Sequence, residues 1–148
     1  MTDSQIMESL NIHNDGRGAS VDRSAASASS AGVPAVQVAR AAAQAASDKK
    51  AEDIAVIDLT ELSDVCDYFV IATGMNNRQV DAIVDEVEEQ VGRTYGEHPF
   101  SIEGREERSW VLMDYGSVIV HVFTPEAREY YRLEKLWGDA PTLELALD

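Results

Sequence analysis

The stretch WVLMDYGSVIVHVF, Trp110 to Phe123, constrains the fold more than any other part of this sequence. Gly116-Ser117 lies between two runs of strand-forming residues. A two-residue loop with Gly first favours a type II′ turn, whose twist matches that of paired strands. That turn fixes the register. Tyr115 then faces Val118, and the ladder continues Asp114 with Ile119, Met113 with Val120, Leu112 with His121, Val111 with Val122 and Trp110 with Phe123. Side chains alternate across a sheet. One face therefore holds Val111, Met113, Tyr115, Val118, Val120 and Val122, and it reads as core. The other holds Trp110, Leu112, Asp114, Ile119, His121 and Phe123. A one-residue slip would exchange the two sets, so the division rests on the turn.

The second face has two readings. In one, a helix covers it, the polar groups are satisfied locally, and His121 is a bonded sheet histidine rather than a ligand. In the other, part of the face stays open. Trp110 and its apolar neighbours then anchor a partner, and Asp114 at the rim selects a basic contact.

Around this hairpin the other elements follow from pattern. Val80, Ile83, Val84, Val87 and Val91 form one helical stripe, with Asn76 or Asn77 as its cap. The opposite side carries Asp81, Asp85, Glu86, Glu88 and Glu89, which reads either as a solvated face or as a site for a basic protein. Tyr68–Thr73 is a short run of strand-forming, mainly apolar residues and reads as a central strand. Ile54–Leu59 reads as a strand, and Pro99–Glu103 as a short one. Pro34 suits the first turn of an Ala-rich helix running to about Ser47. Thr124-Pro125-Glu126 starts a last helix towards Trp137, with a break expected near Arg132 and a stop at Gly138. Strands interrupted by helices predict an α/β (α+β) fold, a mixed β-sheet packed with helices.

The first 33 residues are rich in Ser and Ala and contain no aromatic residue. Such a segment cannot bury enough apolar surface to offset its ordering entropy. They read as a disordered N-terminal extension, with Ile6–Leu10 able to form a transient helix. The domain is expected over residues 34–141, with a loose tail over 142–148.

Composition bounds the function. The net charge of −15 discourages direct contact with phosphate backbones and favours a basic protein partner. No Lys/Arg stripe predicts sequence-specific nucleic-acid binding. Cys66 is the single cysteine, so neither an internal disulfide nor a multi-cysteine metal site is expected, which fits a reducing cytosol. Its apolar neighbours argue against a nucleophile. No apolar run reaches a membrane span, and the first residues lack the pattern of a secretion signal, so the cytoplasm is the expected location. His13, His98 and His121 are scattered without metal-ligand spacing, and there is no nucleophile elbow or Walker loop. Gly74 between a strand and a helix is weak evidence for a nucleotide-binding turn. Asp64 and Asp67 would need a third carboxylate to hold a metal, and turn-forming aspartates are the simpler reading. No catalytic residue, metal or cofactor is predicted, although a metal-dependent nucleotidyltransferase-like enzyme and an acidic adaptor for another basic protein remain alternatives.

From Asp48 onward the chain resembles the ribosomal silencing factor family, RsfS, also called Iojap-related proteins. The resemblance is carried by DKKAEDIAVIDL at 48–59, DYFVIATG at 67–74, RQVDAIVDEVEE at 78–89, WVLMDYGSVIVHVF at 110–123 and YYRLEKLWGDAP at 130–141. It covers about two-thirds of the chain and leaves out the first 33 residues. It implies a nucleotidyltransferase-like fold without catalytic residues and a non-enzymatic role. The implied action is binding to ribosomal protein L-fourteen on the large subunit, sterically blocking the small subunit and repressing translation. Carried onto this sequence, the implied partner-binding residues are Trp110, Leu112, Met113, Asp114 and Tyr115. His121, Glu134 and Trp137 serve either binding or packing. The register sets Tyr115 on the core face, against a contact role. The free protein is a candidate homodimer.

Overall fold

The structure, a computed structural model, describes residues 33–136, Gly138 and residues 140–147. The expected extension therefore lies outside the described residues except for Val33, and so does Trp137.

Helix α1 spans Ala35–Asp48, with Pro34 just ahead of it in extended geometry. Ala39, Ala42, Ala43, Ala45 and Ala46 are buried. Their small side chains let the helix lie close to its neighbours. Strand β1 (Glu52–Asp58) starts two residues earlier than its apolar pattern suggests. A bulge accounts for the extra length: the pairing shifts register between Glu52 and Ala55, and Asp53 takes φ +50. Strand β2 (Tyr68–Thr73) has the bounds expected from sequence. Helix α2 spans Asn77–Tyr95; the Asn76 side chain accepts from the Gln79 backbone N–H at 2.8 Å, and left-handed Gly96 ends the helix. All five residues of the Val80–Val91 stripe are buried.

Strand β3 (Ser101–Glu103) leads into the hairpin of β4 (Trp110–Asp114) and β5 (Val118–Phe123). Trp110 pairs with Phe123 and Asp114 with Ile119, the register expected from the turn. The Tyr115 N–H donates to the Val118 carbonyl at 2.9 Å, and Gly116 adopts φ +89, a conformation a side chain would resist. Helix α3 (Pro125–Tyr131) is capped by Thr124 and broken by left-handed Arg132, after which α4 (Leu133–Leu136) forms one further turn.

The five strands lie in the order β1-β2-β5-β4-β3. The β2–β5 pair is parallel and the other pairs are antiparallel, so the sheet is mixed. Helices α1 and α2 cover one face, where they meet Val111, Met113, Tyr115, Val118, Val120 and Val122. The short α3 and α4, together with Leu59 and Cys66, cover the face that carries Trp110, Leu112, Ile119 and Phe123.

The C-terminal segment is not loose. Pro141 and Leu143 exchange backbone hydrogen bonds with Asp58 and Val56 along the outer edge of β1, and Thr142 bridges Ile57. Leu143, Leu145 and Leu147 pack on the aliphatic core. Their alternation with Thr142, Glu144 and Ala146 is a strand-like pattern that supplies β1 with an edge partner.

Candidate functional site

The hairpin brings the expected site residues together, but under cover. Trp110 is only 2% exposed, Leu112 and Met113 are fully buried, and Asp114 and Tyr115 are nearly so. The open-face reading is corrected: α3 and the α3–α4 joint close over the indole. Ala127 and Leu133 join the same apolar cluster, and the Tyr131 ring stands 4.6 Å from that of Trp110. The sequence could not decide this because the cover comes from another element, twenty residues on.

What the cover leaves exposed is the tip of an aromatic column. Phe123 and Trp110 are 4.9 Å apart between centroids, Trp110 and Tyr131 4.6 Å, and Tyr131 and Tyr130 5.0 Å. The column starts in the core and ends at Tyr130, which is 75% exposed. Adjacent rings in tilted or edge contact hold one another in place. Glu126 and Glu129 are also exposed on α3, four residues and one residue before Tyr130.

The polar groups beneath are used locally. The Trp110 indole Nε1–H donates to His121 Nδ1 at 3.0 Å. That bond places the histidine proton on Nε2, which has no partner among the described residues. Complete burial pushes the His121 imidazole down to a pKa of about 3, so it is neutral at physiological pH. The Phe69 ring meets it edge-on at 4.6 Å. His121 is thus the bonded sheet histidine of the first reading. The Asp114 carboxylate accepts from the Gly116 backbone N–H at 2.8 Å and so stabilises the turn rather than marking an open rim. Tyr115 points into the aliphatic core; burial, with the Glu88 charge second, raises its phenol pKa.

Glu134 has a defined task. Its two carboxylate oxygens accept from Arg128 Nε and Nη2 at 3.1 and 2.8 Å, a bidentate pair. Arg128 Nη1 also reaches the Thr73 hydroxyl at 2.8 Å and the Asp53 carbonyl. One guanidinium therefore fastens α3 and α4 to the end of β2 and the bulge of β1. The sequence reading missed Arg128. Its partners lie 6, 55 and 75 residues away, and no local motif announces them.

Other candidates resolve into structure. A side chain at Gly74 would meet Val80 at 3.0 Å and Ile83 at 3.2 Å, so that glycine serves the close approach of α2 to β2. Buried Cys66 donates its thiol to the Tyr68 carbonyl at 3.2 Å. Asp64 is exposed, and among the described residues no group of three or more His, Cys, Asp or Glu side chains could hold a metal ion. On the other side of the molecule, Arg105 and Arg108 pair with Asp81 and Asp85 of α2, so part of its acidic face is already occupied. No described helix is long and apolar enough to cross a membrane.

Residues 33–148 match the family described as "Ribosomal silencing factor during starvation". The ribosomal silencing factor RsfS of Bacillus subtilis (strain 168) is 46% identical over 108 residues, which are 73% of this chain and 91% of that protein. The chloroplastic protein Iojap of Zea mays is 38% identical over 109 residues, 72% of this chain and 46% of the maize protein. A crystal structure of a protein from Chromobacterium violaceum superposes with a TM-score of 0.68 at 34% identity, covering 78% of this chain and 95% of that one.

Proposed function

Because this chain belongs to the ribosomal silencing factor family, we propose that it docks on the large ribosomal subunit through ribosomal protein L-fourteen and blocks the small subunit by occupancy. Translation falls because a subunit so occupied cannot join its partner. The family match over residues 33–148 is the observation that carries this reading. The net charge of −15 supports it, since an acidic surface complements a basic ribosomal protein and speeds its capture. A plug needs neither turnover nor a cofactor, and it acts in the cytoplasm where subunits meet.

In this reading Trp110, Leu112, Met113, Asp114 and Tyr115 serve the docking surface from beneath. Trp110 and Leu112 form the floor of the aromatic column, Asp114 holds the turn, and Met113 and Tyr115 seat the hairpin on the aliphatic core, with His121 holding the indole and Glu134 holding Arg128. The direct contacts are Tyr130, Glu126 and Glu129 on the outer side of α3. An exposed aromatic ring set on a rigid base is the kind of group that concentrates binding energy. The same ring is where two free copies would pair as a homodimer, which dilution followed by light scattering reports.

The test is co-sedimentation with isolated large subunits, followed by a subunit-joining assay. The full chain is expected to sediment with large subunits and to reduce joining in proportion to occupancy. Tyr130→Ala removes an exposed ring and should keep the fold while costing about 2 kcal/mol of binding. Failure of the full chain to sediment would sink the function itself. Unchanged binding by a folded Tyr130→Ala variant would move the contact elsewhere.

A further inference from the structure

The basic residues of this acidic chain are not spread evenly. Strands β2 and β5 run parallel, yet the helices that follow them go to opposite faces: α2 to the aliphatic side and α3 to the aromatic side. Such a divergence leaves an indentation at the carboxyl ends of the strands. Two adjoining clefts lie there, on either side of Thr124-Pro125. One, of about 540 Å³, has Arg78 at its margin together with Met75 and Asn77. The other, of about 480 Å³, has Arg128, Arg132 and Lys135 in its wall beside Asp53 and Thr73.

Lys49 and Lys50 belong to the same end. The Gln79 side chain, next to Arg78, donates to both of their carbonyls at 3.1 and 3.0 Å. Lys49, Lys50, Arg78, Arg128, Arg132 and Lys135 are half of the chain's 12 Lys and Arg residues. Arg128 is consumed by Glu134, and Lys49 lies 3.9 Å from Glu86. Lys50, Arg78 and Lys135 are exposed and form no ion pair among the described residues, while Arg132 donates only to a backbone carbonyl. Elsewhere among the described residues Arg93 is tied to Glu89, Arg105 to Asp85 and Arg108 to Asp81, and exposed Arg40 donates to the Glu144 backbone carbonyl. Glu126 lines the first cleft with Arg78, and Asp53, Glu129 and Glu134 line the second with the other cations, so the unpaired cations alternate with acids across this end.

Resting on the large-subunit reading above, we infer that this end of the sheet is a second contact with that subunit. Arg78 on one margin and Arg132 with Lys135 on the other take phosphates of ribosomal RNA. A chain of net charge −15 is repelled by RNA as a whole. Its acidic surface suits the basic protein of the particle, and approach to the neighbouring RNA is least opposed where its unpaired cations face the phosphates. The segregation thus selects an orientation as well as adding affinity. Arginine suits phosphate because its guanidinium donates in a fork, and lysine acts as a mobile point charge.

The experiment uses the full chain and a triple variant, Arg78→Gln, Arg132→Gln and Lys135→Gln. All three positions are exposed, and thermal unfolding checks that the fold is kept. Affinity is measured for isolated large subunits across a salt series and, separately, for purified ribosomal protein L-fourteen. The expected result is a loss of about tenfold or more on the subunit at low salt. The dependence of log affinity on log salt should also flatten by roughly 0.7–0.9 per phosphate contact removed. Binding to the isolated protein should stay as it was. An unchanged subunit affinity overturns the RNA contact. Equal losses on subunit and isolated protein overturn it too, because they place these cations against protein. A wild-type chain that fails to bind the subunit removes the premise and this surface with it.

Discussion

The two faces of the sheet are built from the same hairpin but closed in different ways. On the aliphatic face, two helices of 14 and 19 residues lay continuous Ala and Val stripes over Val111, Val118, Val120 and Val122. On the aromatic face, helices of 7 and 4 residues close over Trp110, assisted by one arginine and one buried indole–imidazole bond. The first closure is spread over many small contacts. The second is concentrated in a few large side chains and a few polar bonds. A spread closure makes a foundation. A concentrated one positions a small exposed surface, here Tyr130, with little chain.

That contrast is broken most directly at Trp110. Trp110→Ala leaves a large void under the α3–α4 joint and strips His121 of the hydrogen bond to its Nδ1. A loss of about 3–5 kcal/mol is expected in denaturant unfolding. Subunit binding should fall along with the folded fraction. Ile83→Ala on the opposite face should cost about 2–5 kcal/mol, since cavity cost depends on how far the site relaxes. At temperatures where it remains folded, it should bind large subunits as the parent does. If Ile83→Ala weakens binding as much as a loosened aromatic face does, the faces do not divide the labour between foundation and docking.

Much of this was legible in the sequence for local reasons. The turn at Gly116-Ser117 fixed a register, and a period of two then sorted twelve side chains onto two faces. The Val80–Val91 stripe and the Thr124-Pro125 start depend only on helical spacing and capping. The break at Arg132 was also expected. Cover was not legible, because whether Trp110 lies open or closed depends on where α3 lands after the chain turns. Arg128 was invisible for the same reason, its value residing in Thr73, Asp53 and Glu134. The tail's pairing was not legible either, because a short polar–apolar alternation looks loose until β1 offers it an edge. The clustering of cations was hidden by the total: a charge of −15 says nothing about where the positive residues stand.

Arg128→Met sharpens the comparison at smaller scale. It removes the bidentate bond to Glu134 and the bond to Thr73 while keeping much of the side chain's bulk. The Arg128 side chain is mostly shielded but Glu134 is 43% exposed, so water can take over the freed carboxylate. A cost of about 1–2 kcal/mol is expected. Hydrogen exchange should show the loss at α3 and α4, with α1 and α2 unaffected. Uniform loosening of both faces would show that the latch is not local.

The smallest effect at neutral pH is also the most diagnostic of the aromatic face. His121 is held neutral, with its pKa depressed to about 3 in the folded chain against an ordinary value near 6.5. The unfolded chain therefore binds a proton that the folded chain refuses. The resulting stability is fully present above pH of about 6.5 and is lost as pH falls towards 3. The slope from this one group approaches about 1.4 kcal/mol per pH unit within that window. Carboxylates titrate in the same range, so the informative quantity is a difference. The stability of the parent should fall more steeply between pH 6 and 4 than that of His121→Gln, by about one proton, with the two profiles running parallel above pH 7. Parallel profiles throughout would mean that protonated His121 is accommodated in the fold. The aromatic face would then be wetter than the bond to Trp110 and the Phe69 ring imply.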